Sequence, residues 1–262
     1  MPEGHTIHRA ARDQRAMFEG QRLDVSSPQG RFAQGARLID GATCTGTEAV
    51  GKHMLYHFDN GRTLHIHLGL AGTFRPQVQP ADPPRDVVRV RLSGPSHVID
   101  IVGPNTCELL EAAELDGFRA RYGPDLLADA PEPERAIARI RKSRAAIARL
   151  LMDQKVIAGI GNIYRAEILW LRGIHPLTRG ADLSEEELQG LWDEMRALLQ
   201  IGVERNSIIT NRAYLKAGRG VGERTNIFGK VTCPKCKGPV EKSKLAARTL
   251  YHCPNCQAPR PS

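Results

Sequence analysis

The feature that most restricts what this chain can fold into lies near its C-terminus: Cys233-Pro-Lys-Cys236, sixteen residues, then Cys253-Pro-Asn-Cys256. Two Cys-x-x-Cys pairs at that spacing offer four thiolates to one tetrahedral ion. A site filled in this way is structural, with no open position for catalysis. The insert between the pairs holds too few apolar side chains to fold alone, so the metal supplies the missing stability. Two metal-held knuckles leave the sixteen-residue insert to form a β-hairpin, whose strands carry Lys242, Lys244 and Arg248. The expected cofactor is one structural zinc ion, Zn2+, per chain on Cys233, Cys236, Cys253 and Cys256. Such a ribbon is an interaction module and names no activity. Cys44 and Cys107 lie in apolar, strand-like surroundings and read as inert buried thiols.

The charge balance points to a partner. With 37 Lys+Arg against 29 Asp+Glu the chain carries +8 and a pI near 9.4, which favours a polyanion such as DNA or RNA over a membrane. No run approaches the 18 apolar residues of a spanning helix. Glu3, His5, Arg9, Arg12 and Asp13 occupy the place where a signal peptide needs an apolar core. The expectation is a soluble cytoplasmic protein with no membrane partner. A length of 262 residues suits one large or two medium domains.

Residues 5–19 read as a helix, with Ile7, Ala10, Ala11, Met17 and Phe18 near one face and Gly20 as its stop. Strand-like runs follow at 21–25, 37–40, 43–58, 62–77, 87–93 and 97–102. Asn60-Gly61 between alternating runs is the strongest hairpin signal. The composition shifts to Asp, Gly, Pro and Ala between Leu115 and Glu134, and helical spacing takes over beyond. Ile137 and Ile140, then Ile147, Leu150 and Leu151, recur at that spacing; Asn162–Leu171 is a second amphipathic run. Ser184 to Glu187 is a capping box opening a long helix through Leu188, Leu191, Trp192, Met195 and Leu198. Residues 205–226 show no periodicity and read as an exposed loop. The chain thus divides into a β-sandwich domain at 1–118, a linker at 119–133, a helical domain at 134–226 and a zinc finger at 227–262.

Three further stretches carry chemistry. Trimming of Met1 before the small Pro2 exposes a secondary amine, and the α-amino pKa of about 7.7–8.0 leaves part of it unprotonated at neutral pH. Attack of that amine on an aldehyde-level carbon gives an iminium, an electron sink for elimination, with Glu3 beside it as proton carrier. Gly159-Ile-Gly161-Asn162 joins two helical runs, with Arg149, Lys155 and Arg165 around it, and suits a phosphate at a helix N-terminus. Lys52 stands in an apolar β-run and reads as solvent-facing. His65 and His67 alternate on one strand face without a third spaced ligand, which favours hydrogen bonding or solvent over metal.

Taken in order, Pro2-Glu3, Gly51-Lys52, His67-Leu-Gly-Leu-Ala-Gly72, Tyr122-Gly-Pro-Asp125, Leu151-Met-Asp-Gln-Lys155, Gly159-Ile-Gly-Asn-Ile-Tyr164, Gly173-Ile-His-Pro176 and Arg248 before the second cysteine pair form a specific set. Over nearly its whole length the chain resembles the formamidopyrimidine-DNA glycosylase/endonuclease VIII family. The opening Met-Pro-Glu-Gly looks more like the endonuclease VIII branch.

The resemblance implies an α+β protein: an N-terminal antiparallel β-sandwich with a leading helix, then a C-terminal helical domain with a helix-two-turn-helix and a four-cysteine zinc finger. It implies a monomer acting on damaged double-stranded DNA, associated with a bacterial-type nucleoid, that excises an oxidised base and nicks the strand by β,δ-elimination. By the same resemblance Pro2 is the nucleophile at C1′, Glu3 shuttles protons, and Lys52 contacts a phosphate and assists as an acid. Asn162 and Arg248 clamp the phosphates flanking a flipped nucleotide, and Leu70 fills the gap it leaves. Asp153 and Glu167 match family positions in the helical domain. Where the formamidopyrimidine branch carries an Arg-Arg-Phe-Gly loop, this chain has Gly103-Pro-Asn-Thr-Cys-Glu108, and Ala71 replaces a bulkier side chain. Oxidised pyrimidines are the expected lesions. The alternatives are a catalytically inactive damage-binding protein, an enzyme preferring 8-oxoguanine and formamidopyrimidine, and a zinc-ribbon regulator.

Overall fold

The leading segment is helical because Ile7, Ala11, Gln14 and Phe18 recur every three or four residues and bury one face of α1 (Gly4–Phe18). Gly20, at φ +75°, follows its end. The structure, a computed structural model, describes residues 2–217 and 222–260. The chain separates into two compact units, Met1–Arg121 and Tyr122–Ser262.

After α1 the first unit runs β1 (Asp24–Ser26), α2 (Ala33–Ile39), β2 (Cys44–Val50), β3 (His53–Phe58), β4 (Arg62–His67), β5 (Thr73–Val78), β6 (Val88–Ser93), β7 (His97–Val102), β8 (Thr106–Glu111) and α3 (Ala112–Arg119). These strands form two four-stranded antiparallel sheets, β1-β6-β7-β5 and β2-β3-β4-β8. Met54, Tyr56, Leu64 and Ile66 of one sheet share a core with Val90, Leu92, Ile99 and Ile101 of the other, which makes a sandwich. Ile7, Ala11 and Phe18 of α1 join that core. Two buried hydroxyl bonds fasten the helix: Thr47 Oγ1 donates to the Ala11 carbonyl at 2.6 Å, and Tyr56 Oη donates to Gln14. Within the first sheet the Arg91 guanidinium meets Asp100 through two bonds of 2.7 and 2.8 Å, both side chains nearly buried.

Three strand expectations are corrected. Residues 37–40 fall largely in α2, because a four-residue apolar run cannot be assigned by periodicity. The run 43–58 is interrupted at Gly51-Lys52, with Gly51 at φ +58°, so Lys52 sits in a turn and not within a strand. The run 62–77 breaks at the turn 68–72, where Gly72 N donates to Leu68 O. Strand β8 and α3 had no clear signal; β8 mixes half-buried and exposed residues without a two-residue alternation.

The second unit comprises α4 (Pro133–Arg141), α5 (Ile147–Leu150), α6 (Asn162–Leu171), α7 (Glu185–Arg205), α8 (Arg212–Ala217), β9 (Glu241–Leu245) and β10 (Arg248–His252). Its core gathers Ile137, Ile140, Ile147, Leu151, Tyr164 and Ile168 with Leu188, Leu191, Trp192, Met195 and Leu198 of α7. Turns at 151–152 and 154–156 connect α5 to α6, the helix-two-turn-helix arrangement. The capping box of α7 is formed, Ser184 Oγ accepting from Glu187 N while the Glu187 carboxylate accepts from Ser184 N. A short helix, α8, lies within the 205–226 segment, of which residues 218–221 fall outside the described residues. Strands β9 and β10 pair antiparallel across Ala246 and Ala247, both at positive φ. Among the described residues no helix is long and apolar enough to cross a membrane.

Candidate active site

In the first unit, Pro2 leads directly into α1 and Glu3 is its N-cap residue. The Glu3 side chain is fully buried and is not used to cap the helix. A buried acid beside a chain terminus is uncommon enough to need a reason. The neighbouring His5 is brought down to about 4, by burial first and then by the positive N-terminus, so it is neutral at physiological pH.

Helix α1 packs on β2 and β3, and the turn between those strands presents Lys52. The adjoining turn 68–72 is tight: a Cβ on Gly72 would stand 2.4 Å from the Leu68 carbonyl oxygen. At its tip Leu70 is 59% exposed, a large apolar side chain held out from the core. Only residues 103–105 join β7 to β8, and they include no cation.

Cross-strand register gathers histidines beside Lys52. His53 lies directly opposite His67, and His65 opposite Glu108. Burial first, then His67, His65 and Lys52, lower the His53 pKa to about 3. Burial, His65 and Lys52 lower that of His67. Burial also lowers His65, although Glu108 pulls it upward. His65 is therefore hydrogen-bonded and buried, one of the two outcomes expected from sequence. The third histidine, His53, was invisible without the register.

In the second unit the N-terminus of α6 meets strand β10. Asn162 Nδ2 donates to the Thr249 carbonyl at 3.0 Å, and Asn162 Oδ1 accepts from Arg165. Asn162 and Arg248, 86 positions apart, thus flank one contact. The two-turn segment is tied by Gln154, whose Oε1 accepts from Gly159 N at 3.0 Å and whose Nε2 donates to Ile160 O at 3.0 Å. A cavity of about 270 Å³ opens there, lined by Arg149, Met152, Asp153, Arg165, Leu245 and Arg248. Three guanidiniums against one carboxylate suit an anion. Glu167, noted only as a family position in the sequence, is fully buried. Its carboxylate accepts from Thr210 Oγ1 and from the backbone of Asn226, Ile227 and Phe228, at 2.5–2.8 Å.

The four cysteines fit a metal. Their sulfurs all lie within 4.8 Å of one another, with Cys233–Cys256 at 3.8 Å and Cys236–Cys253 at 3.4 Å. A tetrahedral site with bonds of about 2.3 Å needs edges of about 3.8 Å. Burial raises the Cys233 thiol, but backbone N–H groups of Cys236 and Lys235 and the Trp170 indole bring it down to about 6. The Trp170 Nε1–Sγ distance is 3.4 Å.

A family profile described as the formamidopyrimidine-DNA glycosylase N-terminal domain matches residues 1–104, and one described as the formamidopyrimidine-DNA glycosylase H2TH domain matches 122–213. The chain belongs to the formamidopyrimidine-DNA glycosylase/endonuclease VIII family, a class of base-excision-repair DNA glycosylases and AP lyases. Among its relatives, endonuclease 8 1 of Mycobacterium tuberculosis (strain ATCC 25618 / H37Rv) is 39% identical over 267 residues, covering 98% of this chain and 100% of that protein. Endonuclease 8 of Salmonella newport (strain SL254) is 35% identical over 269 residues, with the same coverage. In fold the chain matches Lactococcus lactis formamidopyrimidine-DNA glycosylase bound non-covalently to AP-site DNA, with TM-score 0.79, 22% identity and coverage of 98% and 100%. The same protein with DNA containing N7-benzyl-Fapy-dG gives TM-score 0.81 at 24% identity, with the same coverage.

Proposed function

We propose that the protein excises oxidised pyrimidines from duplex DNA and cleaves the strand through an iminium on Pro2. The observation carrying this reading is the pairing of Pro2 with a fully buried Glu3 at the start of α1. With Met1 removed, the Pro2 nitrogen attacks C1′ of the damaged nucleotide, the glycosidic bond breaks, and the departing base takes a proton. Opening of the sugar ring gives the iminium, with Glu3 moving protons to and from the sugar. Loss of a C2′ proton expels the 3′ phosphate, and a second elimination expels the 5′ phosphate. Water then frees the Pro2 amine.

Lys52 holds a phosphate and assists as an acid, while Asn162 and Arg248 hold the phosphates beside the flipped nucleotide. Leu70, exposed at its turn, offsets part of the unstacking cost of roughly a few kcal/mol. The cysteines hold a structural zinc, which keeps the β9–β10 hairpin and Arg248 in place. The pyrimidine preference is supported by the short, cation-free 103–105 connection, which leaves little to probe the base opposite.

The test is borohydride trapping of the Met1-processed protein on a duplex with one thymine glycol. The expected result is a covalent adduct mapping to Pro2, absent in Pro2→Gly and at least about a hundredfold weaker in Glu3→Gln. Trapping on an abasic duplex but not on thymine glycol would move the lesion to purines. An adduct on neither would leave only damage binding.

A further inference from the structure

One polar cluster of the first unit has no part in the chemistry above. Glu108 on β8, His65 on β4 and His53 on β3 share the sheet face turned away from the sandwich core, under Phe118 of α3. His65 Nδ1 stands 2.9 Å from Glu108 Oε1, and His65 Nε2 stands 2.8 Å from His53 Nδ1. A carboxylate only accepts, so His65 carries its proton on Nδ1 and its lone pair on Nε2; His53 then donates from Nδ1. The chain has one direction and one tautomer at each ring. His53 also stacks on His67, with centroids 4.6 Å apart at 21°, and meets the edge of Phe118 at 5.6 Å.

The place of this cluster matters more than its strength. His53 is the first residue of β3, immediately after the Gly51-Lys52 turn. Its cross-strand partner His67 is the last residue of β4, immediately before the turn that carries Leu70. The His67 carbonyl accepts from Asn105 N at 2.8 Å, which ties in the β7–β8 connection, and Asn105 Cβ abuts Gly69. The Lys52 turn, the Leu70 turn and the β7–β8 connection are therefore rooted on one pair of residues at one end of the β3–β4 ladder.

We propose that Glu108, His65 and His53 are positioning residues that hold the Lys52, Leu70 and Asn105 turns as one block for base excision. The role in the reaction rests on the glycosylase reading above. The chain fixes the His53 ring from one side and the His67 stack fixes it from the other, so the Lys52 backbone has one position relative to Leu70. A displacement of about 1 Å in a positioning element is enough to cost up to about a hundredfold in rate.

Glu108 is the residue to change, because its side chain is 53% exposed and its loss leaves the core intact. In Glu108→Leu, amide exchange at Lys52, Leu68 to Leu70 and Asn105 should rise about tenfold, while Asp59 to Gly61 at the opposite end of the hairpin stay as in wild type. Single-turnover excision of thymine glycol should fall about tenfold with duplex affinity changed less than about twofold. Glu108→Gln keeps an oxygen to accept from His65 and should restore both readouts. Unchanged exchange in Glu108→Leu overturns the proposal, as does unchanged excision despite faster exchange, or a Gln variant as impaired as the Leu variant. A wild-type protein that leaves thymine glycol untouched counts against the functional reading, and the exchange readout then decides this proposal by itself.

Discussion

The Glu48 carboxylate on β2 receives the Arg119 guanidinium at 2.6 Å and lies 3.2 Å from His57 Nε2. Burial would raise its pKa, but the bonds from His57 and Arg119 outweigh burial and hold it at about 2, against an ordinary 4.5. The folded-state value is the lower one. The pairing therefore stabilises the fold fully above about pH 4.5 and is lost as the pH falls toward 2. With about a third of the side chain in solvent, screening leaves on the order of 1 kcal/mol. Glu48→Gln should lower the unfolding free energy, read from urea denaturation, by that amount at pH 7, and the gap from wild type should close between pH 4.5 and 2. A gap that persists at pH 2 would mean that the packing of Glu48, and not its charge, is what matters. At this scale the sequence is legible only for residues whose neighbours are covalently close. Pro2 and Glu3 could be singled out as a pair because they are adjacent. The burial of Glu3, which gives the pair its meaning, belongs to the fold.

Elements with a period or a cap were readable: the Asn60-Gly61 hairpin, the buried stripe and capping box of α7, and the N-terminus of α6 at Asn162. Those with neither were not: α2 passed as strand and β8 went unseen, and α3 went unseen as well because its capping box is built on Glu111 and Glu114 without the usual Ser or Thr. The segment after α7 shows what holds an aperiodic stretch. Its two ends, Thr210 and Asn226 to Phe228, converge on the Glu167 carboxylate of α6, and Thr210 N also donates to Arg224 O at 2.9 Å. Both carboxylate oxygens accept, so a glutamine would turn its NH2 toward at least one buried donor. Glu167→Gln should destabilise the protein by about 3 kcal/mol, read from chemical denaturation, and should open 206–217 and 222–228 to limited proteolysis. A loss below about 1 kcal/mol would show that the segment is held by something other than this carboxylate.

At the scale of the whole molecule, Cys233 and Cys253 pack with Ala166, Ile227 and Val240 in a small core of their own. Stripping the metal with a chelator under reducing conditions should release one zinc per chain and lower the melting temperature. It should also shift tryptophan emission to the red as Trp170 loses its place against Cys233; release of zinc without that shift would detach the metal from the fold of this module. The sequence by itself determined the four-cysteine cluster, the hairpin turn, the long capped helix and the basic surplus, because each depends on spacing along one chain or on composition. Only the tertiary structure decided that Asn162 reaches Thr249, 87 residues away, that Glu3 is buried, and that His53 stands opposite His67. Those facts come from strand register and from which faces pack together, and no local period encodes either.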